Sequence, residues 1–196
     1  AWSKSGQHTS VTDLTLTDLR ETAWSKSGQH TSVTDLTLTE HGEEEARALR
    51  ERLDPASFGL VLCSPRRRAQ DTARLAGFEA FEVEPNLAEW DYGDYEGLTS
   101  AQIRERHQGW RIWFNGCPGG EDALQVRRRL TRVVDRVRNS GVDKAICFGH
   151  GHASRVLALA WLDFPIIFGQ SFPLATASVS VLGKEKESWA VLRWNS

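Results

Sequence analysis

From about Thr39 onward the chain alternates short apolar runs with longer segments of helical periodicity, and this alternation limits the folds it can adopt. Phe58–Cys63, "FGLVLC", and Lys144–Phe148, "KAICF", are too short for helices and too apolar for half-exposed strands, so they read as buried strands. Ala80–Glu84 reads as a third strand, and Ala177–Leu182 and Trp189–Trp194 as two last ones joined by the charged turn "GKEKES". Between them lie helical patterns. Glu40–Leu53 carries acids early and bases late, in keeping with the helix dipole. Ser64-Pro65 supplies an N-cap and a first-turn proline for a helix through about Leu75. Ser100–His107 and His152–Leu162 follow the same logic. Glu121–Asn139 is a long amphipathic helix with Leu124, Val126, Leu130, Val133, Val134 and Val137 on or near one face. Strand and helix in alternation predict a three-layer α/β domain with a mostly parallel central sheet.

The amino end follows a different rule. "AWSKSGQHTSVTDLTLT" stands at Ala1–Thr17 and again, unchanged, at Ala23–Thr39. Structural repeats diverge and come in threes or more, so one identical copy is not a repeat architecture. The division read here is an anomalous leader, 1–22, ahead of a domain spanning 23–196. The chain holds no Met, so Ala1 is not expected to be a native start.

With 196 residues and a formal charge of −2, one domain with a sizeable core is expected, without a chain-wide surface for nucleic acid or membrane. No apolar run reaches the roughly 18 residues of a spanning helix. Cys63, Cys117 and Cys147 are scattered and odd in number, which reads as buried, reduced thiols of a cytoplasmic protein. No Cys/His spacing suggests zinc. Oligomeric state is not legible.

Three stretches sit where a strand ends and a helix or loop begins, the place where open parallel sheets bind ligands. "CSPRRRAQDTA", Cys63–Ala73, sets Arg66, Arg67 and Arg68 at a helix start, which suits an anion or, equally, a solvated basic turn. "FGHGHASR", Phe148–Arg155, flanks His150 with glycines; a structural histidine is the alternative. "NLAEWDYGDYEG", Asn86–Gly97, sets Glu89 beside Trp90, a setting that raises a carboxyl pKa, and a plain acidic loop would read the same. An anion cradle, a histidine and a candidate acid together suggest phosphoryl chemistry. No Walker-A loop is present.

Thr22–Ala46, "TAWSKSGQHTSVTDLTLTEHGEEEA", with "CSPRRRAQDTA", "AEWDYGDYEG", "WRIWFNGCPGGE" and "FGHGHASR", resembles the ordered motifs of the histidine phosphatase (phosphoglycerate mutase-like) superfamily. The likeness is nearest its small acid-phosphatase and sugar-phosphatase branch and covers Arg20–Ser196. It implies a Rossmann-like sheet, no metal and no cofactor, and hydrolysis of a small phosphorylated metabolite through a phosphohistidine. By the same resemblance, Arg20 and Arg68 bind phosphate, Glu89 is the proton donor and His150 the second pocket histidine. Ser25, Thr31, Ser32, Tyr92 and His152 fall at substrate-contact positions. The family's Arg-His-Gly-Glu-Thr reads Arg20-Glu21-Thr22 here, so the nucleophilic histidine and its glycine are missing between Arg20 and Glu21. His41-Gly42 opens a helix and is not expected to replace them. Two further readings stay open: a non-catalytic phosphate-binding relative, and a phosphoglycerate mutase.

The strand that should precede the nucleophile is replaced by Leu14–Leu19. Its Leu/Thr alternation suits a half-exposed strand, and its polar groups would displace it from the sheet centre or weaken the sheet.

Overall fold

The computed structural model describes residues 12–18, 21–176 and 178–196. Among these residues six strands form one sheet: β1 (Asp13–Thr17), β2 (Leu60–Cys63), β3 (Glu82–Val83), β4 (Lys144–Phe148), β5 (Val179–Glu185) and β6 (Ser188–Arg193), in the order β3-β2-β4-β1-β5-β6. The first four are mutually parallel; β5 runs antiparallel to β1, and β6 to β5. Among the described residues seven α-helices pack around them: α1 (Ala23–Ser27), α2 (Glu40–Ala48), α3 (Arg67–Leu75), α4 (Ser100–Arg106), α5 (Ile112–Asn115), α6 (Ala123–Arg138) and α7 (Gly151–Leu162). The alternation of β4 divides the core. Ala145 and Cys147 join Val126, Leu130, Val133, Val156 and Leu157 of α6 and α7. Ile146 and Phe148 turn the other way, to Leu49 and to Ala69 and Ala73 of α3. This is the expected three-layer α/β arrangement with a mostly parallel central sheet.

The expectation for the amino end is overturned at β1. It is neither displaced nor half-exposed: it lies between β4 and β5, with Asp13 opposite Lys144 and Leu16 opposite both Cys147 and Ser180. Leu14 and Leu16 are buried against the α6/α7 layer, and Thr15 and Thr17 are buried on the opposite face. Ladders on both edges satisfy its backbone, and β-branched threonine suits a packed strand. The Thr12 hydroxyl extends the anchorage by donating to the Val142 carbonyl at 2.5 Å.

Other boundaries shift for local reasons. α3 begins at Arg67, with Arg66 as a cap residue that makes no side-chain cap bond; the Ser64 hydroxyl is bound to His150 and takes only a 3.3 Å contact from the Arg66 amide. α6 begins at Ala123, where Asp122 and Gln125 form a reciprocal capping box. Leu124, expected on its apolar face, is 67% exposed. The charged turn shrinks to the residues between β5 and β6, with Lys186 at φ 55°. The three cysteines are buried and unbridged. Among the described residues no helix is long and apolar enough to cross a membrane.

Candidate active site

A cavity of about 280 Å³ opens at the carboxyl ends of β1, β2 and β4. Ser64 to Arg68 leave β2, Gly149 to Gly151 leave β4, and Asp18 leaves β1, so the parallel centre of the sheet delivers all three segments to one place.

Arg68 lies in the first turn of α3 and is 1% exposed. Its guanidinium donates to the carbonyls of Thr34 (2.9 Å), Thr31 (3.2 Å) and Ser32 (3.3 Å). The same loop is held from the other side by Glu96, which accepts from the amides of Ser32 and Thr34 and from the Ser32 hydroxyl at 2.5 Å. Burial would raise the Glu96 pKa, but these donors win and hold it below the usual range. Arg68 is thereby fixed in place with one face on the cavity. Burial lowers its pKa, and the Glu89 carboxylate is the leading opposing influence.

His150, also 1% exposed, is the cap residue of α7. Its Nδ1 is 3.4 Å from the Arg68 guanidinium and its Nε2 is 2.6 Å from Ser64 Oγ. Burial, then the charges of Arg68, Arg66 and Arg129, push its pKa well below the ordinary histidine value. A guanidinium can only donate, so Nδ1 accepts, and the neutral ring carries its proton on Nε2, donated to Ser64.

Glu89 is 7% exposed, in the loop that follows Pro85–Leu87, and its carboxylate packs against the first turn of α7. Its carboxylate accepts from the amides of Trp90 (2.8 Å), Ala153 (2.9 Å) and His152 (3.2 Å). Burial raises its pKa; these three N–H groups and Arg68 oppose the rise without cancelling it. Beside it, the Tyr92 phenol lies 2.8 Å from Nδ1 of His152. Burial keeps that phenol protonated and that imidazole neutral, so the phenol donates.

Of the residues anticipated from sequence, Arg68, Glu89, His150, Ser25, Thr31, Tyr92 and His152 line the cavity. The Ser25 hydroxyl also closes a capping box with Thr22 at the start of α1. Ser32 does not line the cavity; its hydroxyl is bound by Glu96 and accepts from the Tyr92 amide. Arg20 lies outside the described residues. His41 is on the exposed face of α2, against Glu44 and Glu45. Sequence reasoning missed Thr22 and Gln29, both on the cavity wall with His30; the Thr22/Ser25 capping spacing was a readable signal for the first. Asp18 and Thr176 carried no such signal. Among the described residues no group of three or more His, Cys, Asp or Glu side chains could hold a metal ion.

Residues 21–196 match the histidine phosphatase superfamily (branch 1). The chain belongs to this superfamily. An acid phosphatase of Mycobacterium tuberculosis is 42% identical over 94% of this chain and 82% of its own length. The sedoheptulose 1,7-bisphosphatase of Saccharomyces cerevisiae is 34% identical over 84% of this chain and 65% of its own length. A solved structure of an open reading frame product from Mycobacterium tuberculosis superposes with a TM-score of 0.89 at 38% identity, covering 94% of this chain and 97% of that one. The histidine phosphatase fold of these relatives is thus the fold described above, with its central strand formed by Asp13–Thr17.

Proposed function

We propose that this histidine phosphatase homologue binds the phosphoryl group of a small phosphorylated metabolite, such as a sugar phosphate, and that its site is built for hydrolysis of the monoester. The observation that carries this reading is the convergence of Arg68, His150 and Glu89 on one cavity. Arg68 is a donor for phosphoryl oxygens, His150 is held beside it by Ser64, and Arg20 is assigned to the same phosphate-binding role as Arg68 from the motif. Glu89, with its raised pKa, holds the proton that a leaving alkoxide needs. The names of the acid phosphatase and sedoheptulose bisphosphatase relatives support the substrate class.

The complete reaction needs a histidine nitrogen that attacks phosphorus as the ester P–O bond breaks and Glu89 protonates the departing oxygen. Water, giving its proton to the Glu89 carboxylate, then breaks the P–N bond and releases phosphate. The place for that histidine falls between Arg20 and Glu21, where the sequence has none. Nothing at His150 replaces it, since Nδ1 faces Arg68 and Nε2 faces Ser64.

That gap favours a second reading of the chain as written, a phosphate binder without turnover. One experiment separates the two. His-Gly is inserted between Arg20 and Glu21, and phosphate release from sugar phosphates is followed beside the unaltered chain. The hydrolytic reading expects the insertion to raise turnover by roughly 10⁴-fold or more. Thermal stabilisation by phosphate in both proteins with turnover in neither would leave the binding role alone. Transfer of the phosphoryl group without release would identify a mutase.

A further inference from the structure

The stretch "WRIWFNGCPGGE", Trp110–Glu121, forms no wall of the cavity that holds Arg68, yet it is docked along the back of the segment that carries Glu89. The two meet backbone to backbone. The Glu121 amide donates to the Asp91 carbonyl at 3.0 Å, and the Asp94 amide to the Pro118 carbonyl at 2.8 Å. So close an approach needs glycine: a Cβ on Gly120 would overlap the Asp91 carbonyl, and one on Gly93 the Pro118 carbonyl. Trp90 adds its indole N–H, donated to the Glu121 carbonyl at 2.9 Å.

Arg129, midway along α6, closes this contact. Nε and Nη2 donate to the two carboxylate oxygens of Glu121 at 2.8 and 2.9 Å. Nη1 donates to the carbonyls of Asn86 and Ala88, both at 2.7 Å, and Nη2 also donates to the Glu89 carbonyl at 3.0 Å. Those five bonds use all five N–H donors of a guanidinium. Glu121 in turn accepts the Asp91 amide at 2.9 Å. Residues 88–92 have neither helix nor strand to place them, so these bonds fasten the main chain on both sides of Glu89. The Glu89 carboxylate, meanwhile, reaches the other way, to the amides of His152 and Ala153 on α7. That reach is possible only while its backbone stands at a set distance from α7.

We propose that Arg129, held by Glu121, is a positioning residue for Glu89, and that it acts by fixing the main chain from Asn86 to Asp91 rather than by touching substrate. The proposal rests on the reading of Glu89 as proton donor and deepens it. The charge of Arg129 also reaches His150, so charge and geometry have to be separated. Lysine at 129 separates them: it keeps the charge but carries three donors on one nitrogen, without the planar fork.

The test is an NMR titration of the Glu89 carboxyl carbon in the chain as it stands, with the signal assigned by its loss in Glu89→Gln. It is repeated in Arg129→Lys, Arg129→Gln and Glu121→Gln. The other charged and titratable groups around that carboxyl are Asp18, Arg68, Tyr92, His150 and His152 in the same cavity and Arg155 on α7, and all stay unaltered. In the parent, burial should make Glu89 titrate above the ordinary glutamate range. In Arg129→Lys it should titrate lower, toward that range, as the released segment lets water reach the carboxyl. Arg129→Gln should shift it the same way, although loss of a cation alone would shift it up. Glu121→Gln, which weakens the grip without removing the guanidinium, should give a smaller downward shift, and it decides alone if the Arg129 variants do not fold. Calorimetric titration with inorganic phosphate should show binding retained in every variant, because Arg68 and His150 are held by other partners. An unchanged titration in the variants overturns the proposal. So does an upward shift in Arg129→Gln with Arg129→Lys like the parent, which would assign the effect to charge. Loss of phosphate binding along with the shift overturns it as well, since the whole site would then have loosened. A parent carboxyl that titrates in the ordinary range overturns the proton-donor reading itself, and the role of Arg129 with it.

Discussion

Ser64 Oγ accepts from Nε2 of His150 at 2.6 Å, which ties the end of β2 to the start of α7 across the floor of the cavity. The pair is buried, and the hydroxyl has no competing role as a helix cap beyond a 3.3 Å contact from the Arg66 amide. Ser64→Ala leaves the imidazole proton without its partner. The expected cost is about 1–3 kcal/mol of stability, with weaker phosphate binding in proportion to the lost orientation of His150. Urea unfolding with and without phosphate measures both; an unchanged midpoint would show that the ring is held by other means.

Glu89 provides a second expectation, in the protein carrying the inserted His-Gly. Its raised pKa keeps the acid form to higher pH than an ordinary glutamate. Turnover should therefore be limited on the alkaline side, falling as pH rises through that pKa. Glu89→Gln removes the transferable proton, and the expected loss is roughly 10²–10⁴-fold for alkyl phosphates. The loss should be far smaller for p-nitrophenyl phosphate, whose leaving group departs without protonation. Equal losses for the two substrates would assign Glu89 to architecture rather than proton transfer.

Acid should loosen the fold well before ordinary carboxylates titrate. Burial drives the His30 pKa from the ordinary 6.5 to about 4, with Glu96 opposing and Arg104 adding to the fall. Between these values the unfolded chain binds a proton that the folded one does not. The stability contribution is complete above pH 6.5 and is lost as pH falls toward 4, by about 3 kcal/mol for this group. His150 and His152 are shifted in the same direction and add to the effect. Urea midpoints measured at intervals from pH 7.5 to 4.5 should fall steadily, and less steeply in His30→Gln. A flat profile across that range would contradict the burial of these rings.

The position of β1 is testable by one truncation. Leu14 is fully buried between β4 and β5. Leu14→Ala should cost about 2–5 kcal/mol, as for other large-to-small changes in a packed core. The same change at Leu36, the equivalent position of the second copy, falls outside any strand and should cost less. Equal effects would mean that the two copies share the strand position.

That comparison also marks the limit of what sequence revealed. The pentapeptide Asp-Leu-Thr-Leu-Thr is strand β1 at Asp13–Thr17 and irregular at Asp35–Thr39. In the second copy Asp35 accepts the Arg67 amide at 2.9 Å, and Thr39 caps α2 by accepting from the Gly42 amide at 3.0 Å. Gly42 itself packs so closely on the Glu21 carbonyl that a Cβ there would overlap it. Identical local preference cannot choose between these states; the partners can. β2 and β4 were legible because buried parallel strands are apolar throughout, and α6 because its buried valines recur at helical spacing. Leu124 was misplaced because it stands in the first turn, ahead of the packed stripe. At the site, the stretches Cys63–Ala73 and Phe148–Arg155 were legible because strand ends in a parallel sheet point to one edge, while Arg68, Glu89 and His150 were singled out by the family resemblance. The place of Ser32 was not legible, because its loop turns the hydroxyl inward to Glu96. Asp18 and Thr176 meet only after the chain has closed on itself.

The central place of β1 has a consequence during synthesis. Its neighbours are β4 and β5, and the bond from Thr12 to Val142 spans 130 residues. At ribosomal speeds the first-made strand waits roughly 6–26 s for its first partner to be translated, and longer for its second. Throughout that interval β2 and β3 can pair while the middle of the sheet stays open and β1 keeps unpaired edges. Among the described strands β1 thus waits longest between its own synthesis and that of its neighbours, which makes it the natural point of capture for a chaperone or a protease.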